Sequence, residues 1–195
     1  MMLSEALAVT AYVGKVLDEL GVPWLVGGSL SSSLQGVPRS TQDIDLVAAL
    51  KAGHIQAFSE ALEEHFYVSE DAIHNAIRRC SSFNLIHLDT MTKVDIFVPS
   101  TAPLSRAQLD RRWFITLEDG SRLPLASAED IILQKLDWYR KGDQSSERQL
   151  RDVVGVLQVR GRALDMEYLE TMAKQSGLSE LLRKALHFRP QPSHT

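Results

Sequence analysis

Gly27-Gly28-Ser29, continued by Leu30-Ser31-Ser32-Ser33-Leu34-Gln35 and then by Gln42-Asp43-Ile44-Asp45-Leu46-Val47, decides which fold this chain can adopt. Ahead of it, Pro23-Trp24-Leu25-Val26 is a short apolar run that stops at two glycines, the pattern of a buried strand ending in a sharp turn. Ser29 then opens a short helix. A strand, a Gly-Gly-Ser turn and a helix N-terminus aim backbone N–H groups and the positive end of a helix dipole at one spot, which suits a phosphate. Alone, the same turn is more simply a helix cap and a bend.

Polar and apolar residues alternate from Gln42 to Val47, so a strand there carries Asp43 and Asp45 on one face and Ile44 and Leu46 on the other. Neighbouring carboxylates repel, and burying them requires a cation. A shared divalent metal accounts for the pair, against the bland alternative of an exposed edge strand with two solvated acids. Lys93-Val94-Asp95-Ile96-Phe97-Val98 is a second alternating strand, expected to lie beside the first with Asp95 on the same face. Three carboxylates next to a phosphate cradle can hold two Mg²⁺ ions about 3.5–4 Å apart, an arrangement that aligns attacking and leaving oxygens in phosphoryl or nucleotidyl transfer. Carboxylate oxygens are the donors Mg²⁺ prefers.

Gly28-Ser29, Asp43-Ile44-Asp45 and the later Asp95 resemble the signature of the DNA polymerase β-like nucleotidyltransferase superfamily, in which Gly-Ser, an Asp-x-Asp pair and a third strand Asp form the active site. Arg39-Ser40-Thr41-Gln42, just before the pair, resembles the Arg-x-Thr run of the small prokaryotic branch that includes the AbiEii-like toxins. Two later runs fit that branch. Glu129-Asp130-Ile131-Ile132-Leu133-Gln134-Lys135-Leu136 resembles a helix whose lysine meets the nucleotide phosphates, and Arg148-Gln149-Leu150-Arg151-Asp152-Val153 resembles a later Lys/Arg-Asp run. Lys135 and Asp152 are the matching positions. The chain departs from the pattern at Gly155, where relatives often carry a second acid, so Asp152 is expected only to support the site, by positioning Lys135 or an arginine.

The resemblance implies an α+β fold, with a nucleotidyltransferase-type mixed sheet flanked by helices and a helical C-terminal half. It implies Mg²⁺, in two ions, on Asp43, Asp45 and Asp95 as metal-binding and catalytic residues. Gly28, Ser29 and Lys135 are the implied nucleotide-binding residues, with Arg39, Thr41 and Asp152 in support. The implied reaction moves NMP from an NTP to an acceptor hydroxyl and releases pyrophosphate. A toxin of a toxin–antitoxin pair, acting on tRNA or protein and met by an antitoxin partner, is the first expectation. A transferase for small molecules such as aminoglycosides is the second, and a nucleotide-binding regulatory module without turnover is the third.

With 195 residues and 44% hydrophobic content, the chain can bury one core without covalent staples. Its single cysteine, Cys80, excludes an internal disulfide. Leu3-Ser4-Glu5-Ala6 has no basic lead-in of a signal peptide, and no apolar run approaches a membrane span, so a cytoplasmic home is expected. The net charge of −4 supplies no whole-surface field that would draw nucleic acid, which leaves only a local basic patch for such contacts.

The remaining elements follow from periodicity. Helices are expected over 3–20, 51–66 and 103–112, and a short helix or loop over 69–80, with His54 and His65 in the 51–66 helix lacking a metal-ligand partner at helical spacing. Strands over 82–88 and 93–98 form a hairpin, as do 113–117 and 122–125 around Glu118-Asp119-Gly120-Ser121. Arg106, Arg111 and Arg112 are weak candidates for acceptor contacts. Ser127-Ala128-Glu129-Asp130 has the form of a capping box, and helices follow over 147–160, 165–177 and 178–186. The expected division is a sheet-bearing core over 1–126, a helical region packed on it over 127–186, and a loose tail over 187–195.

Overall fold

The computed structural model describes residues 3–36, 43–117, 120, 122–142 and 147–188. In chain order the helices are α1 (Leu3–Glu19), α2 (Gly28–Gln35), α3 (Ile55–Leu62), α4 (Glu70–Arg79), α5 (Pro103–Asp110), α6 (Ala128–Lys141), α7 (Glu147–Arg160), α8 (Met166–Gln175) and α9 (Ser179–His187). The strands are β1 (Trp24–Val26), β2 (Asp43–Ala48), β3 (Phe66–Tyr67), β4 (Ser82–His87), β5 (Lys93–Phe97), β6 (Trp113–Thr116) and β7 (Arg122–Leu125). They form a mixed seven-stranded sheet in the order β3-β4-β5-β2-β1-β7-β6. β2 pairs with β5 and β1 with β7 in parallel, while the other neighbours are antiparallel.

Strand alternation divides the apolar residues between two layers. Ile44, Leu46, Val94 and Ile96 face a core completed by Val13 and Leu17 of α1, Phe58 and Leu62 of α3 and Ile73 of α4. Leu25 and Val47, one step out of phase with these, face the opposite side and join Leu133 and Leu136 of α6, Val153 and Val156 of α7 and the buried residues of α8 and α9. That second layer therefore covers only one end of its sheet face. On β2 the covered end is Val47, and two and four residues earlier on the same face stand Asp45 and Asp43.

One expected element changes. The helix over 51–66 ends at Leu62, and Phe66 begins β3, pairing with His87 of β4. Ile55, Phe58, Leu62 and Phe66 are all buried in one core, at spacings that a continuous helix would also produce. Of the expected turn over 118–121, only Gly120 lies within the described residues, as does none of the tail beyond Phe188.

Candidate active site

The site begins where β1 ends. Gly27 caps α2 with no side-chain hydrogen bond of its own, and its N–H donates to the Asp45 carbonyl at 2.9 Å. Gly28 has φ of +53°, and a Cβ there would stand 1.8 Å from Asp45 Oδ2. Only glycine lets the chain pass this close over the carboxylate. Ser29 is the second helical residue rather than the cap, and its N–H donates to Asp45 Oδ2 at 3.2 Å. The Gly-Gly-Ser turn thus clasps Asp45 with its amides, at the N-terminus of a helix.

Parallel pairing of β2 and β5 sets Asp43 opposite Lys93 and Asp45 opposite Asp95. The three acids expected to share a face do share it. Burial raises the Asp45 carboxyl above its ordinary value of 3.8, with the Asp95 and Asp43 charges adding to the rise, while the Ser29 N–H and the Lys135 ammonium act against it. Lys93, on the same face, donates from Nζ to Asp95 Oδ2 at 2.8 Å. Among the described residues, no group of three Asp, Glu, His or Cys side chains stands ready to hold a metal ion. The donor chemistry still suits one, since Asp43, Asp45 and Asp95 present carboxylate oxygens from adjacent strands. What the structure adds is that one oxygen of Asp45 is held by an amide and one of Asp95 by an ammonium.

Lys135 of α6 is buried rather than on the surface. Its Nζ lies 2.7 Å from Asp152 Oδ2 and 3.2 Å from Gln149 Oε1, both on α7. Asp152 therefore positions Lys135. Arg148, one turn before Asp152 on α7, donates from Nη2 to Ser29 Oγ at 3.0 Å and brings a guanidinium to the turn. Arg39 and Thr41 lie outside the described residues. Of the arginines considered for acceptor contacts, Arg111 is turned inward, 3.4 Å from Glu129 and stacked 3.7 Å over the Tyr168 ring.

Two site residues escaped the sequence reading, Lys93 and Arg148. A signal for each was present. Lys93 is two residues from Asp95 and shares its strand face, and Arg148 is four from Asp152 and shares its helix face.

No family model matches the chain, and no curated protein matches it either. Among solved structures it is similar to an antigenic nucleotidyltransferase-like protein from Paracoccidioides brasiliensis, at a TM-score of 0.57 and 18% identity over 97% of this chain and 95% of that one. It is also similar to the antibiotic-resistance factor ANT(2'')-Ia, at a TM-score of 0.55 and 15% identity over 96% of this chain and 100% of that one. A second structure of that factor, in complex with adenylyl-2''-tobramycin, matches with a TM-score of 0.55 and 13% identity over 92% of this chain and 99% of that one. The mixed sheet with its flanking helices is thus a nucleotidyltransferase-like α+β fold. No described helix is long and apolar enough to cross a membrane.

Proposed function

From this nucleotidyltransferase-like fold, we propose that the chain is a nucleotidyltransferase that moves NMP from an NTP to an acceptor hydroxyl. The observation that carries the reading is the register of β2 on β5, which aligns Asp45 with Asp95 directly under the Gly28-Ser29 turn. Asp43, Asp45 and Asp95 would bind Mg²⁺, which when bound supplies charge neutralisation at the transferring phosphoryl group. Everything else is done by the chain's own groups. The α2 N-terminus and Arg148 offer donors to the phosphates beside Ser29. Lys135, fixed by Asp152 and Gln149, adds an ammonium close enough to act on Asp45. Asp95 accepts the proton of the attacking hydroxyl as its oxygen bonds to the α-phosphorus, the bond to the β-phosphate oxygen breaks, and pyrophosphate leaves.

A small hydroxylated molecule is the acceptor we favour. The chain is coextensive with an antibiotic-resistance factor whose complex holds an adenylylated tobramycin, and a net charge of −4 offers tRNA little attraction. A toxin acting on tRNA or protein, restrained by an antitoxin, is the reading that the same assay tests. Each labelled NTP is incubated with Mg²⁺, the protein and, separately, an aminoglycoside panel, total tRNA and a cell extract. Label on a small molecule is expected, and label on RNA or protein would move the acceptor to the second class. Asp45→Asn should abolish transfer while its melting temperature at pH 7, without metal, equals or exceeds the parent's, because a buried charge beside two others is relieved. Transfer by Asp45→Asn at the parent's rate would overturn the site.

A further inference from the structure

Lys93 places a fixed positive charge where the fold leads one to expect a second metal ion. Strand alternation keeps it on the acidic face, the β2–β5 register sets it opposite Asp43, and its Nζ lies 2.8 Å from Asp95 Oδ2. Lys93 thus offsets one of the carboxylate charges that a divalent cation would otherwise meet on this face. A second dication at Asp95 would have to displace Lys93 or share a carboxylate with it at like charge.

We propose, resting on the transferase reading but narrowing its metal-binding set to two of the three acids, that this site takes one divalent ion, on Asp43 and Asp45, and that Lys93 occupies the place of a second at Asp95. Lys93 is then a positioning residue. It fixes one oxygen of Asp95 and contributes the positive charge that a second ion would otherwise bring.

The test is a Mn²⁺ titration of the full chain without nucleotide, followed by electron paramagnetic resonance, on the parent, Lys93→Met and Lys93→Arg. The Lys93 side chain is 45% exposed, so both variants should fold, and thermal melts check that they do. The parent and Lys93→Arg should each bind one Mn²⁺. Lys93→Met should bind a second, or bind the first about tenfold or more tightly, the smallest effect expected from removing a charge at this range. The proposal is overturned by two Mn²⁺ on the parent, by a Lys93→Met variant that matches the parent in number and affinity, or by no Mn²⁺ on any of the three. A parent that transfers a nucleotide yet binds two Mn²⁺ overturns this proposal alone. A parent that neither transfers a nucleotide nor binds any Mn²⁺ overturns the transferase reading with it.

Discussion

Gly28 and Lys135 are the two single residues on which the site depends most, for different reasons. Replacing Gly28 by alanine asks an L-residue to hold φ of +53° and places its Cβ 1.8 Å from Asp45 Oδ2. The left-handed backbone alone costs roughly 1–2 kcal/mol, and the carboxylate must also move. Gly28→Ala should therefore lower the melting temperature and abolish transfer together, and a variant with the parent's melting curve and rate would show that the turn tolerates a side chain. Lys135 is bound to a partner almost as buried as itself, with side chains 2% and 9% exposed for Lys135 and Asp152. Lys135→Met takes from buried Asp152 the ammonium 2.7 Å away and should cost about 3–5 kcal/mol in urea unfolding, whereas Lys135→Met with Asp152→Leu should recover a good part of that. Equal losses for the single and double variants would refute the pairing. The acids of this site were legible in the sequence because alternation on a strand assigns faces without knowledge of tertiary contacts. Burial of Lys135 was not, since a lysine in an apolar helix run reads the same whether its ammonium reaches solvent or an acid on α7.

Helix ends and helix junctions show a similar division. Ser127 does cap α6, accepting from the Asp130 N–H at 3.1 Å, as the Ser-Ala-Glu-Asp spacing implies. The return half of the expected capping box is replaced, because Asp130 is one carbon shorter than the glutamate such a box uses, and its carboxylate instead accepts from Ser127 Oγ at 2.8 Å and Tyr168 Oη at 2.6 Å. With Arg111 from the end of α5 and Tyr168 from α8, this carboxylate ties three helices together. Tyr168 is held protonated well beyond its ordinary range by burial and by its bond to Asp130. Burial, the largest influence, raises the Asp130 carboxyl, and the bonds from Tyr168 and Ser127 offset only part of the rise. The folded chain thus keeps this proton to higher pH than the unfolded chain, so Asp130's contribution to stability is present below its ordinary value of 3.8 and is lost as pH climbs above it. Asparagine does not titrate. The melting temperature of Asp130→Asn minus that of the parent should accordingly be more positive at pH 7 than at pH 4, and a difference that is flat or reversed between the two would contradict the assignment. The misplaced helix end near Phe66 has an equally local cause: a residue four after Leu62 buries into the same core from a helix or from a strand, and only its pairing with His87 separates the two.

Across the whole molecule, one sheet serves two cores. Leu25 and Val47 belong to the helical layer of α6 to α9, while their neighbours Trp24, Val26, Leu46 and Ala48 belong to the layer of α1, α3 and α4. Neither layer can be removed without exposing apolar residues of β1 and β2. Unfolding in urea should therefore be a single event, with the fluorescence of buried Trp24 and the helical circular dichroism giving coincident curves. Separated midpoints would show that the helical half comes apart on its own. The outermost strands carry a different implication. On one side the sheet ends in β3, two residues long, and on the other in β6, four residues long, where the guanidinium of Arg122 lies 4.4 Å over the ring of Phe114. Rows of two and four residues give a passing strand little to pair with, and a charge beside the exposed aromatic makes sticking costlier still. Lateral growth of the sheet from one copy to the next is thereby discouraged at both margins, which favours a protein that can be concentrated without forming fibres.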